Sequence, residues 1–134
     1  MRTKYLLTVL MICTMVLSTY SFASSPERSR SAFTTEFIED NLLEGLSSDN
    51  LGLRISTAYF LGEFRTEKAV IPLIKMLHNE KEEGARIQAA LSLIKIGNPK
   101  GVFMVKQAAK FDESKRVRNL CSKFYNAFTL KQVN

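Results

Sequence analysis

Tryptophan is absent from this sequence, histidine occurs once, and cysteine occurs only twice in 134 residues. These shortages exclude much chemistry at the outset. His78 has no cysteine or second histidine at metal-ligand spacing, so no zinc site of ordinary composition is encoded. It reads instead as a surface or capping histidine. No cysteine–histidine pair, serine elbow or glycine-rich phosphate loop can be assembled. Strand-like alternation of useful length is missing too, which leaves helices. The carboxylates Glu80, Glu82 and Glu83 share one turn and read as a solvated cluster rather than a cation site. The sequence therefore indicates no enzyme, no metal and no cofactor.

The first residues follow a different grammar. Arg2 and Lys4 precede an apolar run from Tyr5 to Leu17, and Ser21-Phe22-Ala23 is a small-x-small cleavage site. That is the layout of a secretory signal peptide, with cleavage expected after Ala23. The apolar run ends before the ~20 residues that a spanning helix needs. Export to the periplasm of a bacterium, or secretion, is the expected localisation. Residues 24–32 read as a flexible leader, residues 33–130 as the folded domain and residues 131–134 as a frayed end. The mature chain would keep one cysteine, Cys121, so no internal disulfide could brace it in an oxidising compartment. Cys121 reads as a small buried residue.

Charge is unevenly spread. Ser24 to Glu83 holds 7 basic and 11 acidic residues, whereas Gly84 to Asn134 holds 10 basic and only 2 acidic ones. Such a dipole can steer an anionic partner toward the basic end. Lys106, Lys110, Lys115, Arg116 and Lys123 form the candidate basic patch.

Against these absences stands one strong presence. Arg54, Arg86 and Arg118 recur at a fixed spacing of 32 residues. Each follows an apolar residue (Leu53, Ala85, Val117) and precedes small ones (Thr57-Ala58, Ala89-Ala90, Cys121-Ser122). Leu61, Leu93 and Tyr125 lie seven residues on, and Phe64, Ile96 and Phe128 ten residues on. Offsets of −1, +3, +7 and +10 mark one face of a helix, predicted to face the core. A first helix precedes each: around Phe37, Ile38, Leu42, Leu43 and Leu46, then Val70, Leu73, Ile74 and Leu77, then Val102, Phe103, Val105, Ala108 and Ala109. Boundary signals fit six helices. Thr66 and Asp112 are expected caps, Asn98-Pro99 a cap followed by proline, and Gly97 a helix stop. Pro72 is expected in the first turn of its helix.

This pattern resembles the short HEAT-like repeats, in particular the type named after phycobilisome lyases, whose second helix carries Val-Arg, small residues, Ala-Leu-Gly and a closing Ile-Gly. "ARIQAALSLIKIG" (Ala85 to Gly97) matches closely, "LRISTAYFLGEF" (Leu53 to Phe64) keeps most of it, and "VRNLCSKFYNAF" (Val117 to Phe128) is the most drifted. The tetratricopeptide and ankyrin signatures of similar period are missing. The resemblance implies an all-α fold, an α-solenoid of three helix hairpins with about six helices. It also implies that Arg54, Arg86 and Arg118 form a structural ladder, bonding acidic groups and carbonyls near the turns. The lyase chemistry of some relatives does not transfer with the fold.

One departure from the family points to function. Positions +1 and +5 of the second helices are expected to face outward, and here they are Ile55 and Tyr59, then Ile87 and Leu91. Together they make a candidate apolar patch for a protein or peptide partner. The alternative expectation is electrostatic binding of an anionic membrane surface or polymer by the basic patch. Nucleic acid is not expected as a ligand outside the cytoplasm.

Overall fold

The computed structural model describes residues 27–133, with side-chain surroundings from residue 36 onward. The expected signal peptide and residues 24–26 of the expected leader lie outside the described residues. The chain divides into compact units at residues 34 and 35, and the description below concerns the second unit.

Six α-helices follow one another, with no strand among the described residues: α1 Glu27–Gly45, α2 Leu51–Glu63, α3 Val70–Asn79, α4 Glu83–Ile96, α5 Pro99–Phe111 and α6 Lys115–Val133. A single 3₁₀ turn, Glu67–Ala69, leads into α3. Residues 27–32 are thus helical rather than a loose leader, and α6 continues through the expected frayed end as far as Val133.

Local chemistry explains the boundaries. The Asn50 side chain accepts from the Leu53 amide and starts α2, and Asn98 accepts from the Lys100 amide and starts α5, with Pro99 at the first helical position. Gly97 ends α4 in the left-handed region at φ 79°. Pro72 sits in the first turn of α3, where its missing amide leaves no helical bond unmade. Two expected caps are corrected. Thr66 makes no cap bond with its side chain and donates instead to Glu39 of α1 at 3.1 Å. The α6 cap is Ser114, whose Oγ accepts from the Arg116 and Val117 amides; Asp112 is engaged elsewhere.

The helices form two layers. α2, α4 and α6 lie side by side in one; α3 and α5 are neighbours in the other, and α3/α4 and α5/α6 form hairpins between the layers. Leu42 and Leu43 of α1, with Leu46 in the turn that follows it, pack against the shared core. Leu61, Leu73, Leu77, Leu93, Val105, Val117 and Cys121 are fully buried. At ~2–5 kcal/mol for truncating one such leucine to alanine, these side chains dominate the stability of a domain without a disulfide. Between α2 and α4 the approach is close. A Cβ on Gly62 would lie 2.8 Å from the Cα of Ser92, and the Ser92 hydroxyl donates to the Ala58 carbonyl at 2.7 Å. Small residues at these positions let the two backbones meet.

Each second helix therefore has two lateral faces as well as one toward the other layer. Offsets −1, +6 and +10 face the preceding second helix, and +4 and +8 face the following one. This corrects the expected core face. Ala85 and Val117 are completely buried at −1, but Leu53 at the same register is 47% exposed; Phe64 at +10 is 53% exposed. The sequence offsets are equivalent, yet α2 has no second helix before it among the described residues. Phe37, Ile38 and Phe103, expected on buried faces of the first helices, are exposed as well.

Candidate functional site

The arginines occupy the turns between hairpins. Arg54 donates from Nε and Nη2 to the two carboxylate oxygens of Glu80 at 2.6 and 2.9 Å, and from Nη1 to the Ser48 and Asp49 carbonyls. Arg86 repeats the arrangement one hairpin on. Its Nε and Nη2 donate to both oxygens of Asp112 at 3.0 Å, and Nη1 to the Glu80 and Lys81 carbonyls at 2.9 Å. The side chains of Arg86 and Asp112 are only 4% and 8% exposed. A planar guanidinium suits this two-oxygen grip better than an ammonium group would. The hydrogen bonds from Arg54 hold the Glu80 carboxyl below its ordinary value of 4.5.

Arg118 begins the same way and stops halfway. Its Nη1 donates to the Asp112 and Glu113 carbonyls at 2.5 and 3.0 Å. Its Nε and Nη2 meet no protein acceptor among the described residues. The two carboxylates of the basic half are both turned toward Arg86: Asp112 as above, and Glu113 with Oε1 at 3.3 Å.

The candidate apolar patch does not assemble as one outward surface. Ile55 and Ile87 are half-buried and pack against the core. Offset +1 borders the lateral face of the stack, so it is partly covered by the next helix. At +5, Tyr59 is exposed and Leu91 is half-buried. The Tyr59 ring carries the Lys95 ammonium 5.1 Å from its centroid, while Lys95 also pairs with Glu63. Leu91 lines a shallow groove with Ile94, Phe124 and Ala127.

Sequence reasoning missed a different apolar surface. On α2, Leu53, Phe60 and Phe64 are 47, 46 and 53% exposed. Phe60 and Phe64 stack at 6.3 Å between centroids, and Tyr59 meets Phe60 edge-on at 5.3 Å. The signal was present in the repeat itself: the same register on α4 (Ala85, Ser92, Ile96) and α6 (Val117, Phe124, Phe128) is covered by a neighbouring helix.

The basic residues are split between layers. Lys106 and Lys110 share a stripe of α5, and Lys106 lies 5.2 Å from the Tyr125 ring centroid. Lys115, Arg116 and Lys123 are exposed on α6. His78 is exposed in the last turn of α3. Glu80, of the carboxylate cluster, is committed to Arg54. Burial pushes the Cys121 thiol up to about 11.

Repeated helix hairpins, stacked in two layers and tied at their turns by a recurring arginine, define an α-solenoid repeat protein. The family profile for HEAT repeats matches residues 39–122, more than half of the chain. The protein belongs to the HEAT repeat family, whose members are generally non-catalytic modules for protein interaction. The comparison with curated proteins finds no match.

Proposed function

We propose that this chain is a non-catalytic scaffold that holds an apolar helix of a partner protein along the open edge of α2. One observation carries the proposal: the −1/+6/+10 stripe, covered by a helix wherever it recurs, is bare on α2, where two of its three residues are phenylalanines. A helix is the occupant because helices fill the equivalent stripes on α4 and α6. Leu53, Phe60 and Phe64 are the anchors, with Tyr59 at their rim. Ile55 and Ile87, half-buried against the core, are not part of this edge. Aromatic anchors on a rigid helix give large contact area at little ordering cost. The export layout of the N-terminus makes an extracytoplasmic partner, periplasmic or secreted, part of the same proposal.

The test combines Leu53→Lys with Phe60→Lys. The double variant should keep its helical circular dichroism and melting temperature. It should lose a partner whose cross-links in the wild type map to residues 53, 60 and 64. Cross-links that map elsewhere, or a partner retained by the double variant, would overturn the proposal. So would a wild-type homodimer that becomes monomeric in the variant, since the occupant would then be a second copy.

A further inference from the structure

The opposite edge of the stack carries its own site. We propose that Arg118 is the anchor of a carboxylate-binding site that takes an acidic segment of a partner protein. The chain contains two finished copies of this site. In each, Nη1 is fixed by two turn carbonyls, and Nε with Nη2 grips a carboxylate that comes from the next hairpin, 26 residues on. In the third copy the carbonyls are in place and the carboxylate is not. The guanidinium is thus held in position, its other two donors free to bind a planar two-oxygen acceptor.

Three observations define the ligand. Among the described residues no carboxylate pairs with Arg118, and its neighbours Asp112 and Glu113 both face Arg86. The lateral face around Arg118 is polar where its counterparts are mostly apolar or small. Asn119 stands in register with Ile55 and Ile87, Ser122 with Ala58 and Ala90, and Asn126 with Gly62 and Ile94. An apolar helix of the kind proposed for α2 would leave these groups unpaired. A second copy stacked in the same register would present Ser48 where Glu80 and Asp112 stand, an uncharged group. Lys115 and Arg116, exposed on the same turn of α6, add attraction for an acidic chain. The ligand is an acidic peptide segment presenting at least one glutamate or aspartate side chain. This site is independent of the α2 edge.

The experiment titrates the full chain with a fluorescein-labelled octaglutamate peptide and follows anisotropy at low salt. In parallel, the Arg Nε–Hε signals are followed by NMR. The wild type should bind, and the Arg118 Nε signal should shift while those of Arg54 and Arg86 stay in place. Arg118→Gln should weaken binding at least tenfold. Arg118→Lys, which keeps the charge and loses the fork, should weaken it by at least threefold. Arg116→Gln should weaken it by less than threefold. Undiminished binding by Arg118→Lys, or equal losses for Arg116→Gln and Arg118→Gln, would reduce the site to general attraction and overturn the proposal. An unmoved Arg118 signal would overturn it even if a variant failed to fold. Phosphatidylglycerol vesicles that bind with no dependence on Arg118, alongside no peptide binding, would assign the basic end to a lipid surface instead.

Discussion

The two open edges of the stack are built from the same repeat and have opposite chemistry. On the α2 side, every exposed lateral position is apolar: Leu53, Phe60, Phe64. On the α6 side the lateral positions are the exposed Asn119 and Asn126 and the half-buried Ser122, beside an arginine whose Nε and Nη2 meet no acceptor among the described residues. The contrast teaches that the edges take different things, an apolar helix at one and a charged acceptor at the other. Interior positions show what each edge would look like when filled.

The comparison is broken most severely by placing one charge at equivalent registers. Ala85→Asp buries a carboxylate against α2 and should cost more than about 4 kcal/mol, a large part of the ~5–15 kcal/mol holding a domain together. Leu53→Asp puts the same group on the bare edge and should change stability by less than about 1 kcal/mol. Urea denaturation of both variants measures the difference, and similar losses would mean that α2 is covered in solution.

Next in size is the ladder. Asp112→Ala strands the buried Arg86 guanidinium, an effect of about 3–5 kcal/mol for a buried pair that loses one partner. Arg118→Gln removes only a half-exposed donor and should cost about 1 kcal/mol. Equal costs would show that Arg118 has a carboxylate within the chain.

A smaller effect concerns acid. The Glu80 carboxyl is held below its ordinary value of 4.5 by Arg54, so its folded pKa is below the unfolded one. Its contribution is present above pH ~4.5 and is lost as pH falls through the folded value. Glu80→Gln should therefore flatten the acid limb of stability against pH, whereas Arg118→Gln should leave that limb unchanged. Chemical denaturation between pH 3 and 6 checks both.

The smallest effect lies at the end of α2. Arg65 holds φ 53°, in the left-handed region, with its amide donating to Gly62 and that of Thr66 to Leu61. The equivalent residue after α4 is Gly97. Arg65→Gly should raise stability by roughly 0.5–1 kcal/mol, since a side chain is disfavoured in that conformation. A lowered melting temperature would instead mean that the Arg65 side chain holds something in place.

The 32-residue recurrence of arginine made the stacking legible, because a period of that length leaves few architectures. Gly97 and Asn98 were legible because their conformational preferences are local. The edges were not. Leu53 and Ala85 occupy the same register in the repeat, and only the presence of a neighbouring helix decides which is buried. Ile55 and Ile87 read as outward on a helix with a single core face, whereas a helix in a stack is flanked on two sides. Asp112 looked like a cap because aspartate favours that position; Ser114, equally suited, stands two residues closer to α6, leaving the carboxylate for Arg86. Arg65 gave no warning, because nothing about arginine announces a left-handed turn.

Cys121 turns this architecture into a clock. Its thiol is fully enclosed between α6 and the rest of the stack, and its value near 11 keeps the sulfur protonated at neutral pH. Alkylating reagents react with the thiolate, so each labelled molecule records a moment when α6 had lifted away. Labelling rates at rising reagent concentration would time that opening without any engineered probe. The same rates, slowed by a ligand at the α6 edge but not by one at the α2 edge, would report which edge is occupied.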